Sequence, residues 1–435
     1  MLSGRWAGFL VQNIIIEQPY RFVEPCHGRF WPAVLYRLVP RYLESNYGLQ
    51  QVECVGAERL RQSLAAGHGI LLAPNHCRPC DPQLLGVLAN EARCYFFLMA
   101  SWHLFMQSRL QTWLLRHAGG FSVYREGMDR AALKAAIDVL ESAERPLVVF
   151  PEGIVSRTND VLSPLMEGTA FIARSAAKKR LKAAPGAKVV IHPVALNYFF
   201  CGDIQASVQP VLDAIEMRLS WRPQRELPLI ERLYKLGKAL LSLKEIEYLG
   251  QPQSGEIGER LGRLIDHILV PLEKEWCGGK REANVVARVK QLRAAILPDM
   301  AAGEVSEEER SRRWRQLADL YLAQQLDFYR PDYVRLRPTP ERILETVERF
   351  EEDLTDQARI HRPMRARIEV GEAIEVNPER ERGAAVDPAM QKLEESLRAM
   401  LSRNAEQGTQ PLELQGVPPA AAVAVAPIPS GERVG

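Results

Sequence analysis

Residues 69–85 read GILLAPNHCRPCDPQLL, and this stretch decides the fold. Its apolar beginning, Gly69 to Ala73, is typical of a buried strand. Asp81, followed by proline, glutamine and two leucines, is typical of a helix start, with an N-cap and then proline at the first helical position. A strand, a short polar loop and a helix in this order predict an α/β unit.

The same alternation continues to about residue 200. Strand patterns occur at 95–100, 121–124, 147–150 and 189–196, with helical patterns between them. Helical patterns alone then follow to residue 362, most clearly at 256–276, 283–297, 307–329 and 340–356. Strand character returns at 365–376, before a short amphipathic helix at 388–401. This order predicts an α/β fold, a mixed sheet flanked by helices, with a large helical insertion.

These changes in pattern predict the boundaries of the domains. We expect an N-terminal helical segment at 1–50, an α/β core at 51–202, the insertion at 203–362, the returning strand and closing helix of the core at 363–403, and a disordered tail at 404–435. The first segment combines aromatic and arginine side chains, which suits either a lipid interface or a helical cover packed on the core. Within the tail, residues 416–435 consist mainly of proline, alanine, valine and glycine without helical or strand periodicity.

Composition excludes several classes of protein. The chain has 435 residues, of which 46% are hydrophobic and 25% charged, with a formal net charge of +2. This near balance argues against a dedicated nucleic-acid-binding protein. Its seven cysteines form no disulfide framework and favour a reducing compartment, so we expect a cytoplasmic protein. The longest strongly apolar stretch, 94–106, is shorter than the ~18 residues of a membrane span. Any membrane contact is therefore predicted to be peripheral.

Two segments are candidates for such a contact. A helix predicted at 102–117 places Trp102, Phe105, Trp113 and other apolar side chains near one stripe, which suits either the core or a lipid surface. A basic cluster, free of acids over residues 173–188, suits either anionic headgroups or a solvated helix end. Its members are Arg174, Lys178, Lys179, Arg180 and Lys182.

The loop after the first strand carries the strongest catalytic signal. His76 follows the strand directly, and Asp81 comes five residues later. A histidine can take a proton from a hydroxyl near neutral pH, and a carboxylate on its other ring nitrogen fixes the tautomer and stabilises the imidazolium. The competing interpretation of Asp81 is an ordinary N-cap.

Cys77 and Cys80 in the same loop leave an alternative open. Cys-x-x-Cys between a strand and a helix suits a thiol redox site. His76 beside these cysteines could also begin a zinc site, but a closed site needs a fourth ligand, and the sequence has no second Cys-x-x-Cys or His-x-x-x-His pair. We therefore expect no metal.

Three further segments end predicted strands, where open α/β sheets gather their ligands. Arg125 ends one strand and has the fork that binds phosphate or carboxylate. Phe-Pro-Glu-Gly at 150–153 presents Glu152 from a fixed turn. Pro193 lies within the strand predicted at 189–196, and a proline inside a strand suggests a sheet edge or a bulge beside a site.

The ordered set resembles a known family. Asn-His-x4-Asp at 75–81, the strand ending in Arg125, Phe-Pro-Glu-Gly at 150–153 and Ile-His-Pro-Val at 191–194 resemble the glycerolipid acyltransferases, whose best-known members acylate lysophosphatidic acid. The resemblance covers roughly residues 52–200, and residues 365–374 resemble that family's closing strand.

The resemblance implies that His76 is the general base and Asp81 its partner. It implies that Arg125 binds the acceptor's phosphate, that Glu152 and Gly153 hold the glycerol phosphate, and that Pro193 shapes the floor of the site. The implied substrate-binding set is Asn75, Arg125, Glu152, Gly153, Ser156, Arg157 and Pro193.

The implied reaction moves a fatty acyl group from an acyl-CoA or acyl-carrier-protein thioester to the hydroxyl of a lysophospholipid or glycerol phosphate, in phospholipid biosynthesis at a membrane surface. It needs no cofactor, metal or nucleic acid. Ile154 and Val155 replace the family's usual Thr-Arg, and Met166 replaces a usual lysine, so another hydroxylated lipid or an amine is also an acceptable acceptor. A thiol-disulfide oxidoreductase and a non-catalytic membrane- or partner-binding module are the alternatives from other classes.

Overall fold

The computed structural model describes Ile15, residues 17–379 and residues 386–408. The strands β1–β8 span Leu49–Val55, Gly69–Pro74, Phe97–Ser101, Gly120–Val123, Leu147–Val148, Val189–Phe200, Met364–Val370 and Ile374–Glu375. The helices α1–α15 span Phe30–Tyr47, Ala57–Ala65, Asp81–Ala92, His103–Met106, Arg109–His117, Arg130–Ser142, Gly168–Ala183, Ile204–Arg218, Leu229–Leu249, Ile257–Cys277, Val285–Ala302, Glu307–Asp327, Tyr333–Leu336, Pro340–Thr355 and Pro388–Glu406.

The eight strands form one mixed sheet. Its order is β1-β7-β6-β2-β5-β3-β4, with β8 also paired to β6. Strand β6 is antiparallel to β7 and to β8, and every other pair of neighbouring strands, including β6 and β2, is parallel. The parallel core reflects the alternation of strands and helices in the sequence, and it confirms the predicted fold class.

Helices cover both faces of this sheet. Apolar side chains of α1, α2, α3, α8 and α14 pack on one face, with Leu60, Leu84 and Val347 fully buried among them. Helices α6, α7 and α15 pack on the other, around Ala136, Ala173 and Leu397. The sheet is thus shielded from water on both sides, as a largely parallel sheet requires.

The segment between β6 and β7 is helical and packs in two ways. Helices α8 and α14 lie on the sheet and belong to its core. Helices α10, α11 and α12, with the end of α9, bury a separate apolar cluster that includes Leu264, Leu292 and Leu320. The strand after this segment, β7, pairs with β6 from Val194↔Val370 to Phe200↔Met364. Residues far apart in sequence are therefore neighbours in the sheet.

Strand β6 differs from expectation in two respects. It continues to Phe200 rather than ending at Leu196, because β7 pairs with it over residues 194–200. Pro193 does not mark an edge, since β6 lies between β7 and β2. Proline is tolerated there because it lies opposite the break between β7 and β8, where its carbonyl accepts a hydrogen bond from the Gly371 amide at 2.7 Å.

The helix predicted at 102–117 is broken into α4 and α5. Ser108 caps the longer part, since its hydroxyl accepts a hydrogen bond from the Gln111 amide. The break separates the predicted stripe: Trp102 and Phe105 are buried, whereas Leu110, Trp113 and Leu114 on α5 are exposed.

The N-terminal segment is helical only from Phe30. Residues 17–29 instead form an irregular strap along edge strand β4, where Ser122 and Val23 exchange two hydrogen bonds. The remainder of the predicted segment, residues 1–14 and 16, lies outside the described residues.

The closing helix, α15, runs to Glu406. Asn404 and Ala405 in its last turn are buried, and the Asn404 amide donates to the Asn197 side chain at 3.1 Å. Residues 409–435 of the predicted tail also lie outside the described part of the chain. The domain boundaries themselves stay a prediction.

The basic cluster at 173–188 is largely paired. Arg174 forms an ion pair with Asp387, Lys178 with Glu379, and Lys179 with Asp138 and Glu141. The Arg180 guanidinium is bound by three backbone carbonyls. These contacts favour a solvated helix end over a site for anionic headgroups. Across the residues that the structure describes, no helix has the length and apolar character needed to cross a bilayer.

Candidate active site

The candidate site begins where β2 ends beside the longer β6. The Asn75 side chain binds the backbone of Leu196 twice: its amide donates to the Leu196 carbonyl at 3.0 Å, and its oxygen accepts the Leu196 amide at 2.7 Å. Asn75 is almost fully buried. Its side chain therefore continues the pairing of β2 with β6 for one more position, which fixes the start of the loop that carries His76.

His76 and Asp81 form a hydrogen-bonded pair. Nδ1 of His76 lies 2.8 Å from Oδ2 of Asp81. The Asp81 side chain is fully buried, whereas the His76 side chain is 16% exposed. The imidazole therefore faces solvent while its partner is shielded from it, as a general base and its orienting carboxylate require.

Two further donors fix the Asp81 carboxylate. The Arg78 amide donates to Oδ2 at 2.9 Å, and the Tyr198 hydroxyl donates to Oδ1 at 2.5 Å. Cys80, rather than Asp81, is the N-cap residue of α3, and its side chain makes no capping hydrogen bond. The N-cap interpretation of Asp81 is therefore wrong, because its oxygens serve the loop and the imidazole instead of the helix amides.

The reactive edge of His76 is open. Its ring stacks on Phe150 at a centroid distance of 4.0 Å and an interplanar angle of 25°. Nε2 makes no hydrogen bond with any described residue, and Nδ1 is committed to Asp81. The stack and the Nδ1 contact fix the plane of the ring, so Nε2 is the atom available to a substrate.

The turn after β5 holds the backbone of His76 from the other side. Oε1 of Glu152 accepts the His76 amide at 2.7 Å, and Oε2 accepts the Ser163 amide at 2.9 Å. The His76 carbonyl accepts the Ser156 amide at 2.7 Å. Glu152 is 2% exposed, and burial raises the pKa of its carboxyl group. Its geometry is that of a residue that positions the loop, with both oxygens already occupied.

Arg125 reaches the same turn from the end of β4. Its guanidinium donates to the carbonyl of Gly153, whose φ of +70° lies in the left-handed region that favours glycine. Burial lowers the pKa of the Arg125 guanidinium. The structure thus places Arg125 beside the turn that supports His76.

Ser156 and Arg157 are engaged elsewhere. The Ser156 hydroxyl is buried and lies 3.2 Å from that of Thr158. The Arg157 guanidinium lies 2.5 Å from Oε1 of Glu352 on α14. Arg78, in the loop itself, is paired with Glu348 on the same helix at 3.1 Å. Helix α14 therefore lies over the candidate site and neutralises two of its arginines.

Tyr198 is a site residue that sequence reasoning missed. A strand ending at Leu196 excludes it, although residues 194, 196 and 198 share one face by the period of two along a strand. Asn159 was missed as well, since no sequence pattern marks it. Its side chain binds the backbone of Tyr198 through an amide donor at 2.8 Å and an oxygen acceptor at 2.6 Å.

The two cysteines of the loop have the wrong environment for thiol chemistry. Both are buried, and burial raises the pKa of Cys77 well above its ordinary value and that of Cys80 to about 12. Reactive cysteines need the opposite, an exposed and stabilised thiolate. Within the described residues there is no group of three or more His, Cys, Asp or Glu side chains placed to hold a metal ion.

Two comparisons relate the chain to known proteins. Residues 51–197 match the family model described as "Acyltransferase". A 1-acyl-sn-glycerol-3-phosphate acyltransferase of Streptococcus pneumoniae (strain ATCC BAA-255 / R6) is 35% identical over 107 residues, which cover 25% of this chain and 37% of that protein. The chain therefore spans well under two thirds of the length of this relative. Residues 51–197 therefore match an acyltransferase domain, and part of the chain is similar to a glycerolipid acyltransferase.

Proposed function

We propose that the protein transfers a fatty acyl group from a thioester, acyl-CoA or acyl-carrier protein, to the hydroxyl of a lysophospholipid or glycerol phosphate, in phospholipid biosynthesis. The observation that carries the proposal is the pair of His76 and Asp81, with Nδ1 held at 2.8 Å and Nε2 open. The match to a 1-acyl-sn-glycerol-3-phosphate acyltransferase supports the choice of substrates.

The reaction follows from the hydrogen bonds around His76. Nε2 removes the proton of the acceptor hydroxyl as its oxygen attacks the thioester carbonyl. Asp81 stabilises the imidazolium that forms, and the Tyr198 hydroxyl keeps the carboxylate in place. The carbon–sulfur bond then breaks, and the imidazolium returns the proton to the departing thiolate. The products are an ester and a free thiol, and the proposed steps need no metal or cofactor.

Arg125 is the proposed clamp for the phosphate of the acceptor. It lies beside the turn that carries Glu152 and Gly153, and its fork binds phosphate oxygens in pairs. Arg157 would have to leave Glu352 before binding a ligand, so we place it second. Asn75, Glu152, Ser156 and Pro193 shape the site through backbone contacts.

The exposed face of α5 is the proposed membrane contact. Leu110, Trp113 and Leu114 are exposed there. Trp113 packs edge-to-face on Trp31 of α1, with 4.7 Å between the two ring centroids. Phe30 is 69% exposed beside Trp31. Aromatic and apolar side chains in one such patch suit a lipid interface, where both acyl-bearing substrates reside. We therefore expect peripheral attachment on the cytoplasmic side of the membrane.

A thiol-release assay tests the proposed function. Purified protein is incubated with acyl-CoA or acyl-carrier protein and a panel of lysolipids, and free thiol and acylated lipid are both measured. His76→Ala should lower kcat by about 10²–10⁴-fold, the usual contribution of a positioned general base. The matched control is His27→Ala, which removes a histidine paired with Glu144 at 2.7 Å on the surface. Folded wild-type protein that acylates no acceptor, or a His76→Ala variant with full activity, would contradict the proposal.

A further inference from the structure

Helix α11 of the insertion presents two cations that the structure leaves without a partner. Arg293 has its Nε and Nη2 atoms buried, with no hydrogen-bond partner among the described residues. Lys290 lies three residues earlier, on the same side of the helix, and is exposed. A buried guanidinium without a partner is costly, so it calls for a physical explanation.

Arg288 on the same helix shows how the fold treats a structural arginine. Its Nε donates to Glu273 at 2.6 Å and its Nη1 to Asp266 at 2.8 Å. The Arg288 side chain is almost entirely buried, and its guanidinium is paired with two carboxylates. Arg293, five residues later, has no such acid in contact.

The neighbours of Arg293 connect it to the candidate active site. It lies within electrostatic range of Arg125, Glu126 and Tyr321, and Lys290 is in range of the same Arg125 and Glu126. Burial chiefly lowers the pKa of the Arg293 guanidinium to about 10. Three cations therefore lie within range of one acid, Glu126, and Arg293 stays protonated at neutral pH.

We propose that Lys290 and Arg293 join Arg125 to form a binding site for a phosphomonoester dianion, the headgroup of the acceptor. The excess of positive charge and the unpartnered donors of Arg293 suit a doubly charged ligand with several acceptor oxygens. Arg125 binds the Gly153 carbonyl through one nitrogen, and its other donors would face the same ligand. This inference rests on the proposed function for the identity of the acceptor. It also gives the helical insertion a role, because α11 supplies two of the three cations.

Direct binding tests this site without catalysis. The full chain is titrated with glycerol 3-phosphate, with inorganic phosphate and with glycerol, and Kd is measured by calorimetry. Arg293→Gln should raise the Kd for glycerol 3-phosphate about ten- to hundredfold, as expected for the loss of hydrogen bonds to a charged group. Arg293→Lys should recover only part of this loss, because an ammonium lacks the fork. Lys290→Gln should raise Kd less, since its side chain is exposed.

Two control variants remove charge outside the cluster. They are Lys274→Gln, on an exposed position of α10, and Arg222→Gln, in the loop after α8. Both should bind glycerol 3-phosphate as the wild-type protein does. Phosphate and glycerol 3-phosphate that bind equally well would identify a site for the free anion. Preference for the glycerol ester would identify the lipid headgroup.

Thermal unfolding separates a binding role from a structural one. If Arg293 is held for a ligand, Arg293→Gln should keep or raise the Tm of the free protein, because a buried unpaired charge is removed, and should abolish the rise in Tm that glycerol 3-phosphate causes. A lower Tm with unchanged affinity for phosphate would overturn the inference.

Acyl transfer to lysophosphatidate and to monoacylglycerol is measured in the same variants. Transfer with an unchanged preference for the phosphorylated acceptor in Arg293→Gln would also overturn the inference. Phosphate binding through Arg293 without any acyl transfer would instead refute only the proposed function.

Discussion

Replacing Asp81 with asparagine tests the charge of the carboxylate while nearly preserving its shape. The carboxylate accepts hydrogen bonds from the His76 ring, the Arg78 amide and the Tyr198 hydroxyl. An amide can be placed in two orientations. With its nitrogen at the position of Oδ2, it faces the Arg78 amide and imposes the wrong histidine tautomer. With its oxygen at the position of Oδ2, the amide keeps the His76 tautomer with the proton on Nδ1, but the negative charge is lost. Both orientations lower kcat, for different reasons.

The magnitude follows from the geometry. The imidazolium and the carboxylate would be ~4 Å apart between charge centres, and an effective dielectric constant of ~20 gives an attraction of about 4 kcal/mol. Loss of that attraction corresponds to roughly a 10³-fold fall in rate. This value lies within the range of about 10²–10⁴ for a positioned general base.

The assay is steady-state acyl transfer, with thiol release and ester formation measured together. Asp81→Asn should lower kcat strongly and change the KM of both substrates little, because the lost interaction forms only in the transition state. Circular dichroism and Tm verify that the variant is folded. The control is Asp138→Asn, which removes a surface carboxylate paired with Lys134 and Lys179. A folded Asp81→Asn protein with kcat within about tenfold of wild type would refute the role of the charge.

Three further predictions concern other side chains. Arg125→Ala should mainly raise the KM of a phosphorylated acceptor, because the contact with the phosphate exists both before and during attack. Arg125→Lys should recover only part of the loss, because an ammonium lacks the fork. Kinetics with phosphorylated and unphosphorylated acceptors measure both effects, and an unchanged KM in Arg125→Ala would refute the clamp. Tyr198→Phe removes the 2.5 Å donor to Asp81 and should lower the free energy of unfolding by about 1.5–3 kcal/mol, as urea denaturation would show, together with a smaller fall in kcat than Asp81→Asn causes. Burial raises the pKa of Glu345 to about 8, so its contribution to stability is fully present below the ordinary glutamate pKa and is lost as pH rises through about 8. Between the ordinary glutamate pKa and about pH 8, the Tm of Glu345→Gln should fall less steeply with pH than that of the wild-type protein. Identical profiles of the two proteins would show that this carboxyl group does not titrate in that range.

The sequence predicts the sheet well where periodicity is local. The strands at β2 to β6 and the helices between them follow from apolar runs, caps and glycine stops, because each signal lies within about ten residues. Pairing across the insertion leaves no local signal. The last four residues of β6 are stabilised by β7, more than 160 positions later, and their length was underestimated for that reason. The strap at 17–29 was missed on the same grounds, since its partner is Ser122.

The candidate site shows the same division. His76 and Asp81 lie five residues apart in one loop, so their pairing was within reach of sequence reasoning. The residues that hold them come from other segments: Asn159 from a long loop, Tyr198 from β6 and Glu348 from α14. Burial also decides what a side chain is free to do. Glu152 and Ser156 are in the expected place, but their oxygens are occupied by protein groups.

The support of the histidine pair extends over three neighbouring strands of the sheet, β2, β6 and β7. Asn75 holds the loop by the backbone of Leu196, and Tyr198 holds Asp81 by its hydroxyl. Both residues belong to the part of β6 that pairs with β7, at Leu196↔Ile368 and Tyr198↔Ala366. Strand β7 comes after the insertion in the sequence, so the support of the candidate pair depends on a strand that lies beyond α8 to α14 in the chain. The acyltransferase domain matched at 51–197 therefore ends one residue before Tyr198, and its candidate dyad is completed by residues outside that match.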